Sequence, residues 1–346
     1  MEQLTGRQER LLRLIVHEYV AGGRAVGSKT LVETYGLAVS SATIRNEMAE
    51  LERAGLIEQP HTSAGRVPTD RGYRYYVEHL IGEPYLAPAE QMTIRHQFLQ
   101  VESQLGGWMQ LAASALAHTT GHVSVVTAPR TQSARLKHVE LVGIQERLAL
   151  LVLVTQASGV KQVVVQWPEP LTQAELREVA DRLTARFAGQ AAAGIAAGAG
   201  EEAGFARLVA GQVADILRGL ETASSFEMQH AGLERALQQP EFAGGQAAGQ
   251  IVELMEGGAL LGALLPQLHP ADDVQVFIGG ENAADELRPY GIVVATYGVR
   301  REVIGLLGVI GPRRMAYERS IGTVRYVADL MSDLVGWLHA GGDTRQ

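Results

Sequence analysis

Ser40-Ser41-Ala42-Thr43-Ile44-Arg45-Asn46-Glu47-Met48, continued by Ala49-Glu50-Leu51-Glu52-Arg53-Ala54-Gly55, says more about the architecture than any other run in the chain. Ser40 is placed to cap a helix and Gly55 to stop it. Ile44, Met48 and Leu51 recur at four and three residues, which puts them on one buried stripe. Half a turn away lie Ala42, Asn46, Ala49 and Arg53, with Arg45 on the flank. That outer face combines small residues, which allow close approach to a groove floor, with Arg and Asn, whose forked donors match base edges. Ser40, Ser41 and Thr43 crowd the first turn, where hydroxyls and free backbone N–H groups suit phosphate oxygens. An ordinary amphipathic surface helix has the same two faces, so this helix alone leaves both readings open.

Its neighbours narrow the choice. Thr5 and Gln8 form a capping-box pattern that opens a first helix with Leu11, Leu12, Ile15, Val16 and Tyr19 on one face, stopped at Gly22-Gly23. A short second helix is expected from Ser28 through Leu31 and Val32 to Gly36. After the third helix, Leu56-Ile57-Glu58-Gln59-Pro60 returns to extended chain. His61-Thr62-Ser63-Ala64-Gly65-Arg66-Val67-Pro68 then reads as a polar loop with Arg66 at its tip, and Thr69 caps a helix carrying Tyr73, Tyr75, Tyr76 and Leu80. Three helices, strand, loop and strand is the order of a winged helix-turn-helix, with the wing beside the DNA backbone or minor groove. The candidate DNA-binding residues are therefore Lys29, Ser40, Ser41, Thr43, Arg45, Asn46, Arg53, Thr62, Ser63 and Arg66. Base contacts are expected from Arg45 and Asn46, and phosphate contacts from Arg53 and Lys29.

Net charge speaks against such a role until it is divided along the chain. The 346 residues carry 30 basic and 38 acidic side chains, a formal charge of −8. Residues 1–80 hold ten of each, so the N-terminal segment is neutral and the remainder carries the whole excess. A neutral segment can hold DNA only if its cations share one face. Cysteine is absent, which excludes disulfides, thiolate zinc sites and thiol chemistry as a stress sensor. The polar start and the lack of a long apolar run predict a cytoplasmic protein without a membrane partner.

The run Ser40–Met48 with Leu51-Glu52 and Gly55-Leu56 resembles the start of the heat-inducible transcription repressors of the HrcA family. So does His61–Asp70 with Gly72-Tyr73-Arg74-Tyr75-Tyr76. Three blocks near the far end agree: Phe277-Ile278-Gly279-Gly280-Glu281-Asn282, Ala295-Thr296-Tyr297-Gly298 and Gly308–Met315, together with Gln239-Pro240-Glu241-Phe242. The resemblance covers nearly the whole chain in order. It implies a homodimer that represses chaperone operons from an inverted-repeat operator of the CIRCE type, with the chaperonin GroEL maintaining the active fold. It also implies a GAF-like domain interrupted by an inserted dimerising domain.

Outside the N-terminal segment the pattern predicts an α+β multidomain protein. Residues 1–81 form the winged-helix domain and 82–90 a proline-marked linker. Residues 91–188 are expected to be the first part of a GAF-like domain, with one helix over 90–117, strands near 122–128, 136–144, 148–155 and 160–167, and a helix over 172–188. Leu148–Val154 is an unbroken apolar run, which predicts a strand covered on both faces. The insertion is expected at 189–272, mainly helical, entered through an Ala/Gly-rich connection at 189–204 that builds no core. Residues 273–346 complete the GAF-like domain with strands near 274–279, 291–297 and 303–310 and a helix over 317–339.

No cofactor or metal is expected, because the ten histidines show no ligand spacing and no nucleotide-binding or nucleophile motif occurs. Catalysis is therefore not expected. Glu281 and Asp285 are read as acids at a helix start and Arg313-Arg314 as a solvated pair beside a turn, while Tyr290 and Tyr297 are expected in the core or an interface. The rival reading is a repressor controlled by a small molecule in the GAF-like domain.

Overall fold

In a computed structural model, the structure describes residues 4–60, 65–101, 104–131, 134–156, 159–222, 227–242, 245–256, 259–269, 273–299 and 303–339. The chain divides into two compact units, and the multidomain α+β class holds. The first comprises Met1–Thr127, Met228–Thr296 and Leu306–Met331; the second comprises Ala128–Glu227, Tyr297–Gly305 and Ser332–Gln346.

The first unit opens with α1 (Gly6–Gly22), α2 (Ser28–Tyr35) and α3 (Ser41–Arg53). Their ends are those the sequence predicts. Thr5 and Gln8 close a reciprocal capping box on α1, Ser40 accepts from the Thr43 N–H on α3, and Gly36 ends α2 in the left-handed region. Leu11, Leu12, Ile15 and Val16 of α1, Leu31 of α2 and Ile44, Met48 and Leu51 of α3 are buried. Each such side chain contributes on the order of 1.5–3 kcal/mol. The short strands β1 (Ile57–Glu58) and β2 (Val67–Pro68) pair antiparallel, and Val26 adds a bridge to Arg66. The helix α4 (Asp70–Tyr75) follows, capped by Thr69 and prolonged by one wider turn, Tyr76–Leu80. A Cβ at Gly72 would lie 1.9 Å from the Leu56 carbonyl oxygen, so only glycine lets α4 lie this close to β1.

The expected helix over 90–117 is two helices, α5 (Pro88–Gln100) and α6 (Leu105–Thr120). They lead to β3 (Val123–Thr127), which belongs to a sheet completed far along the chain. The second unit contributes β4 (Arg130–Thr131), then β5 (Leu136–Gln145), β6 (Leu148–Thr155) and β7 (Val160–Gln166), an antiparallel meander forming a sheet of its own. After it come α7 (Gln173–Phe187), α8 (Ala192–Ala199) and α9 (Gly204–Thr222). The chain returns to the first unit through β8 (Met228–Ala231), α10 (Leu233–Leu237), α11 (Gly245–Glu256) and α12 (Ala259–Leu264). It ends with β9 (Val274–Ile278), β10 (Tyr290–Val299), β11 (Val303–Pro312) and α13 (Tyr317–His339). The large sheet runs β8-β3-β11-β10-β9, with β4 paired to the start of β11.

Most of the second unit comes from one continuous stretch, Ala128–Glu227, to which Tyr297–Gly305 and Ser332–Gln346 are added. Length and periodicity locate the strands at 136–166, but nothing local says which sheet they join. The Ala/Gly-rich run differs from expectation as well. It forms α8, with Ala192, Ile195 and Ala199 buried beside Phe205, Val209, Val213 and Leu217 of the α9 segment. Small side chains here permit close helix packing. Leu148–Val154 also departs from its reading, because its burial alternates. Ala149, Leu151 and Leu153 are buried in the helical core, whereas Leu150, Val152 and Val154 are only half-buried on the other face. Val160 and Val164, paired to Val154 and Leu150, are 54% and 56% exposed, and Val142 and Ile144 of β5 are exposed too.

In the first unit, Val123, Leu307, Val309, Ile292 and Val293 of the large sheet are fully buried, as are Met109 and Leu116 of α6 and Val324 and Val327 of α13. Tyr290 stacks on Phe242 at 5.8 Å, and both Tyr290 and Tyr297 are buried. His122 sits beneath Gly311 with its Nδ1 unpartnered, and burial, aided by Arg314, lowers its pKa to about 4. A histidine held neutral by the fold stabilises it fully above pH 6.5, and that contribution is lost as pH falls towards 4. Denaturant unfolding of the wild type should therefore weaken over this window by up to about 3 kcal/mol from this residue. His122→Asn should show a flatter pH dependence, and an identical slope would place the acid sensitivity elsewhere.

Candidate nucleic-acid interface

The buried stripe on α3 leaves its opposite face in solvent. Ser40, Ser41, Ala42, Arg45, Asn46 and Arg53 are exposed there and Thr43 is half-buried. Ser40 and Thr43 are occupied locally, their hydroxyl oxygens 3.0 Å apart, which keeps the first turn wound and its polar atoms at the surface. Among the described residues, no hydrogen bond or ion pair engages the side chain of Arg45 or of Asn46.

The other cations are differently placed. Arg53 is paired with Glu50, and Lys29 lies 3.7 Å from Glu33 one turn along α2. Arg7 reaches Glu47 at 3.5 Å, from α1 to α3. Arg66 does not stand at a loop tip. It lies at the base of the hairpin, its backbone bridged to Val26 and its side chain, 19% exposed, turned to Glu52 of α3 at 2.9 Å. The sequence reading missed this because strand pairing with Val26 pulls Arg66 back into the sheet. Thr62 and Ser63 lie outside the described residues. The site as built therefore brings Ser40, Ser41, Thr43, Arg45, Asn46 and Arg53 onto one helix face, with Lys29 on the neighbouring helix and Arg66 tying the hairpin to α3.

Chemically, this surface offers one guanidinium and one carboxamide free to meet hydrogen-bonding edges, on a helix whose N-terminal turn is capped and open to solvent. Nearby acids do not spoil it, since Glu50, Glu52 and Glu47 each have a cation of their own.

Residues 107–321 match the family model for the HrcA protein C-terminal domain. The chain is 45% identical over 341 residues to the heat-inducible transcription repressor HrcA of Thermomicrobium roseum, covering 99% of this chain and 98% of that one.

The chain belongs to the HrcA family.

The HrcA repressors of Herpetosiphon aurantiacus and Roseiflexus sp. are 42% and 43% identical, each covering 97% of this chain and 97% and 96% of their own lengths. A crystal structure described as that of a hypothetical protein covers 96% of this chain and 99% of its own at 25% identity, with a TM-score of 0.59. HrcA relatives carry the name of heat-inducible transcription repressors, and membership of the family makes this chain a transcriptional regulator rather than a stand-alone fold of unknown class.

Two substitutions separate surface from scaffold. Arg45→Ala should leave unfolding stability within about 0.5 kcal/mol of wild type, because an exposed side chain with no partner is removed. Ser40→Ala should cost about 1 kcal/mol by freeing the Thr43 N–H at the helix start. Equal denaturation midpoints for the two variants would show that the cap carries no weight.

Proposed function

We propose that this HrcA-family chain is a homodimeric repressor of heat-shock chaperone operons. Each subunit lays α3 in a major groove of an inverted-repeat operator of the CIRCE type. The three helices and the β1–β2 hairpin are read as a winged helix-turn-helix, and the large sheet with α6 and α13 as a GAF-like domain. The observation that carries the reading is the free Arg45 and Asn46 pair on the outer face of α3. Arg45 reads guanine and Asn46 reads adenine or a neighbouring phosphate. Ser40, Ser41, Thr43, Arg53 and Lys29 contact the backbone, the last two by exchanging Glu50 and Glu33 for phosphates. Thr62 and Ser63 act from the wing loop, and Arg66 supports that loop from its base.

The second subunit is proposed to cover the outer face of the β5–β7 sheet. Val142, Leu150 and Val164 lie in one row across the three strands, and Val154 and Val160 lie in another. Val142, Ile144, Val160 and Val164 are 43%, 52%, 54% and 56% exposed on it, and clustered exposed apolar side chains mark interaction surfaces. A two-fold axis through it gives the symmetry that an inverted repeat demands. The family resemblance supplies the regulatory half of the proposal. The chaperonin GroEL maintains the active fold in the cytoplasm, and heat diverts it to unfolded clients, so that repression lapses.

A mobility shift on an inverted-repeat fragment, with and without chaperonin, tests the reading. Binding is expected, stronger with chaperonin, and Arg45→Ala should cost about 1–3 kcal/mol and relax discrimination at one position in each half-site. Absence of binding under both conditions would overturn it. For the dimer, Val164→Asp should convert the protein to monomer in sedimentation velocity while leaving its helical content intact. A Val164→Asp dimer of undiminished affinity would move the interface elsewhere.

A further inference from the structure

Two distinctive parts of the sequence, Thr69–Tyr76 and the Phe277–Asn282 and Gly308–Met315 blocks, meet in the fold of the first unit. Asp70, the first residue of α4, accepts from the Gly280 N–H at 2.9 Å on one carboxylate oxygen and from Arg313 at 3.1 Å on the other. Gly279 has a φ of +55°, and a Cβ there would lie 2.2 Å from the Asp70 carboxylate. The turn is thus shaped to receive that acid. One turn further along α4, Arg74 donates from Nε to Glu281 at 2.8 Å and from Nη2 to the Val276 carbonyl at 2.6 Å. Its bond to Glu281 favours the charged form further. Between them Tyr73, fully buried, packs its ring 5.6 Å from Tyr317 at the start of α13. Arg314 completes the contact. It pairs with Glu241 and donates to the Val20 carbonyl at the end of α1 at 3.1 Å. Glu281 and Arg314 are therefore engaged with the N-terminal helices or with Glu241, whereas Arg313 pairs with Asp70 while keeping 55% of its side chain exposed.

We propose that Asp70 and Arg74 are positioning residues that clamp the N-terminal helices onto the Gly279–Glu281 turn and Arg313, and that this clamp sets the orientation of α3 and so the half-site spacing the dimer accepts. The inference rests on the DNA-reading proposal above. Neither residue faces the α3 surface; their partners lie on the body about 210 and 240 residues away for Asp70 and 207 for Arg74. Ligation of α4 at two successive turns, with an aromatic pair between them, fixes rotation as well as distance. The linker adds to this, since Arg325 donates to the Pro84 carbonyl at 2.8 Å. An inverted repeat is read by two α3 helices at once, so a reader free to swivel would accept several spacings.

The test uses the full-length chain with Arg74→Glu, Glu281→Arg and the double exchange. Because the chain has no cysteine, Thr34→Cys and Glu286→Cys, both at exposed positions, can be spin-labelled cleanly, diluted with unlabelled subunits, and their separation measured by pulsed EPR. Binding is measured in parallel on inverted repeats whose half-sites are moved apart by one to five base pairs, and on a single half-site. Either single reversal should broaden the label distance and reduce discrimination between spacings at least tenfold, with half-site affinity unchanged. The double exchange should restore both. Wild-type distances and spacing preference in the single reversals, or a double exchange no better than either single, would overturn the clamp. A wild type that binds no inverted repeat would instead sink the DNA reading, and the label distances alone would then decide whether α4 is clamped.

Discussion

Burial of Ile44, Met48 and Leu51 is the constraint from which the rest of the N-terminal arrangement follows. These three side chains pack among Leu11, Leu12, Ile15 and Leu31, and all are at most 4% exposed. Each removes enough apolar surface from water to contribute on the order of 1.5–3 kcal/mol. Rotating α3 by one residue would expose part of that stripe and push Arg45 or Asn46 into it, where an unpaired polar group costs several kcal/mol more. The rotation of α3 is therefore fixed by its inner face. Beyond the Ser40 cap, the outer face is free to carry residues chosen for what they meet in solvent, because the buried stripe sets the rotation of the helix.

Charge placement follows the same logic. An N-terminal segment with equal numbers of acids and bases attracts no polyanion in bulk. The acids of α3 and of the start of α4 are nevertheless taken up one at a time: Glu47 by Arg7, Glu50 by Arg53, Glu52 by Arg66 and Asp70 by Arg313. What remains on α3 is Arg45. Exposed pairs of this kind contribute little to stability, about 0–1 kcal/mol each. Their effect is on geometry, since each holds an acid away from Arg45 and Asn46 or ties one element to the next. Net charge, the quantity that first argued against a nucleic-acid partner, averages over the pairs that surround α3 and so hides the one cation of α3 that they leave unpaired.

The sequence was legible where structure is local. Thr5 with Gln8, Ser40 with Thr43, Gly36 and the 44-48-51 stripe act within one or two turns, and each is found as its spacing predicts. Legibility failed where the outcome depends on partners far along the chain. Strands 136–166 are visible as strands, but whether they extend the large sheet or form a separate one depends on pairing that carries no local mark. The α8 run looked like a linker because its Ala and Gly residues bury little area each. Close packing against α9 replaces bulky side chains there, and that is a property of the neighbour. Arg66 was read at a tip because polar loops usually project, whereas a bridge to Val26 holds it at the base. The α3 face of the candidate site was thus readable from one helix, and the supporting role of Arg66 was not.

The same limit applies to the residues that join α4 to the Gly279–Glu281 turn. A motif such as Thr69-Asp70 followed by Gly72-Tyr73-Arg74 has no periodicity that names its partner, and Gly279-Gly280-Glu281 has none either. Each half taken alone looks like a turn with surplus charge. Their meeting gives the two charged groups a use: the carboxylate of Asp70 fills the space that Gly279 leaves open, and the guanidinium of Arg74 spans a side chain and a carbonyl. Partly exposed contacts of this type are too weak to decide whether the chain folds. A bias of about 1 kcal/mol between two arrangements is still a factor of about five in their populations. Several such contacts acting on one helix are enough to select a single orientation of α4 against the turn that receives it.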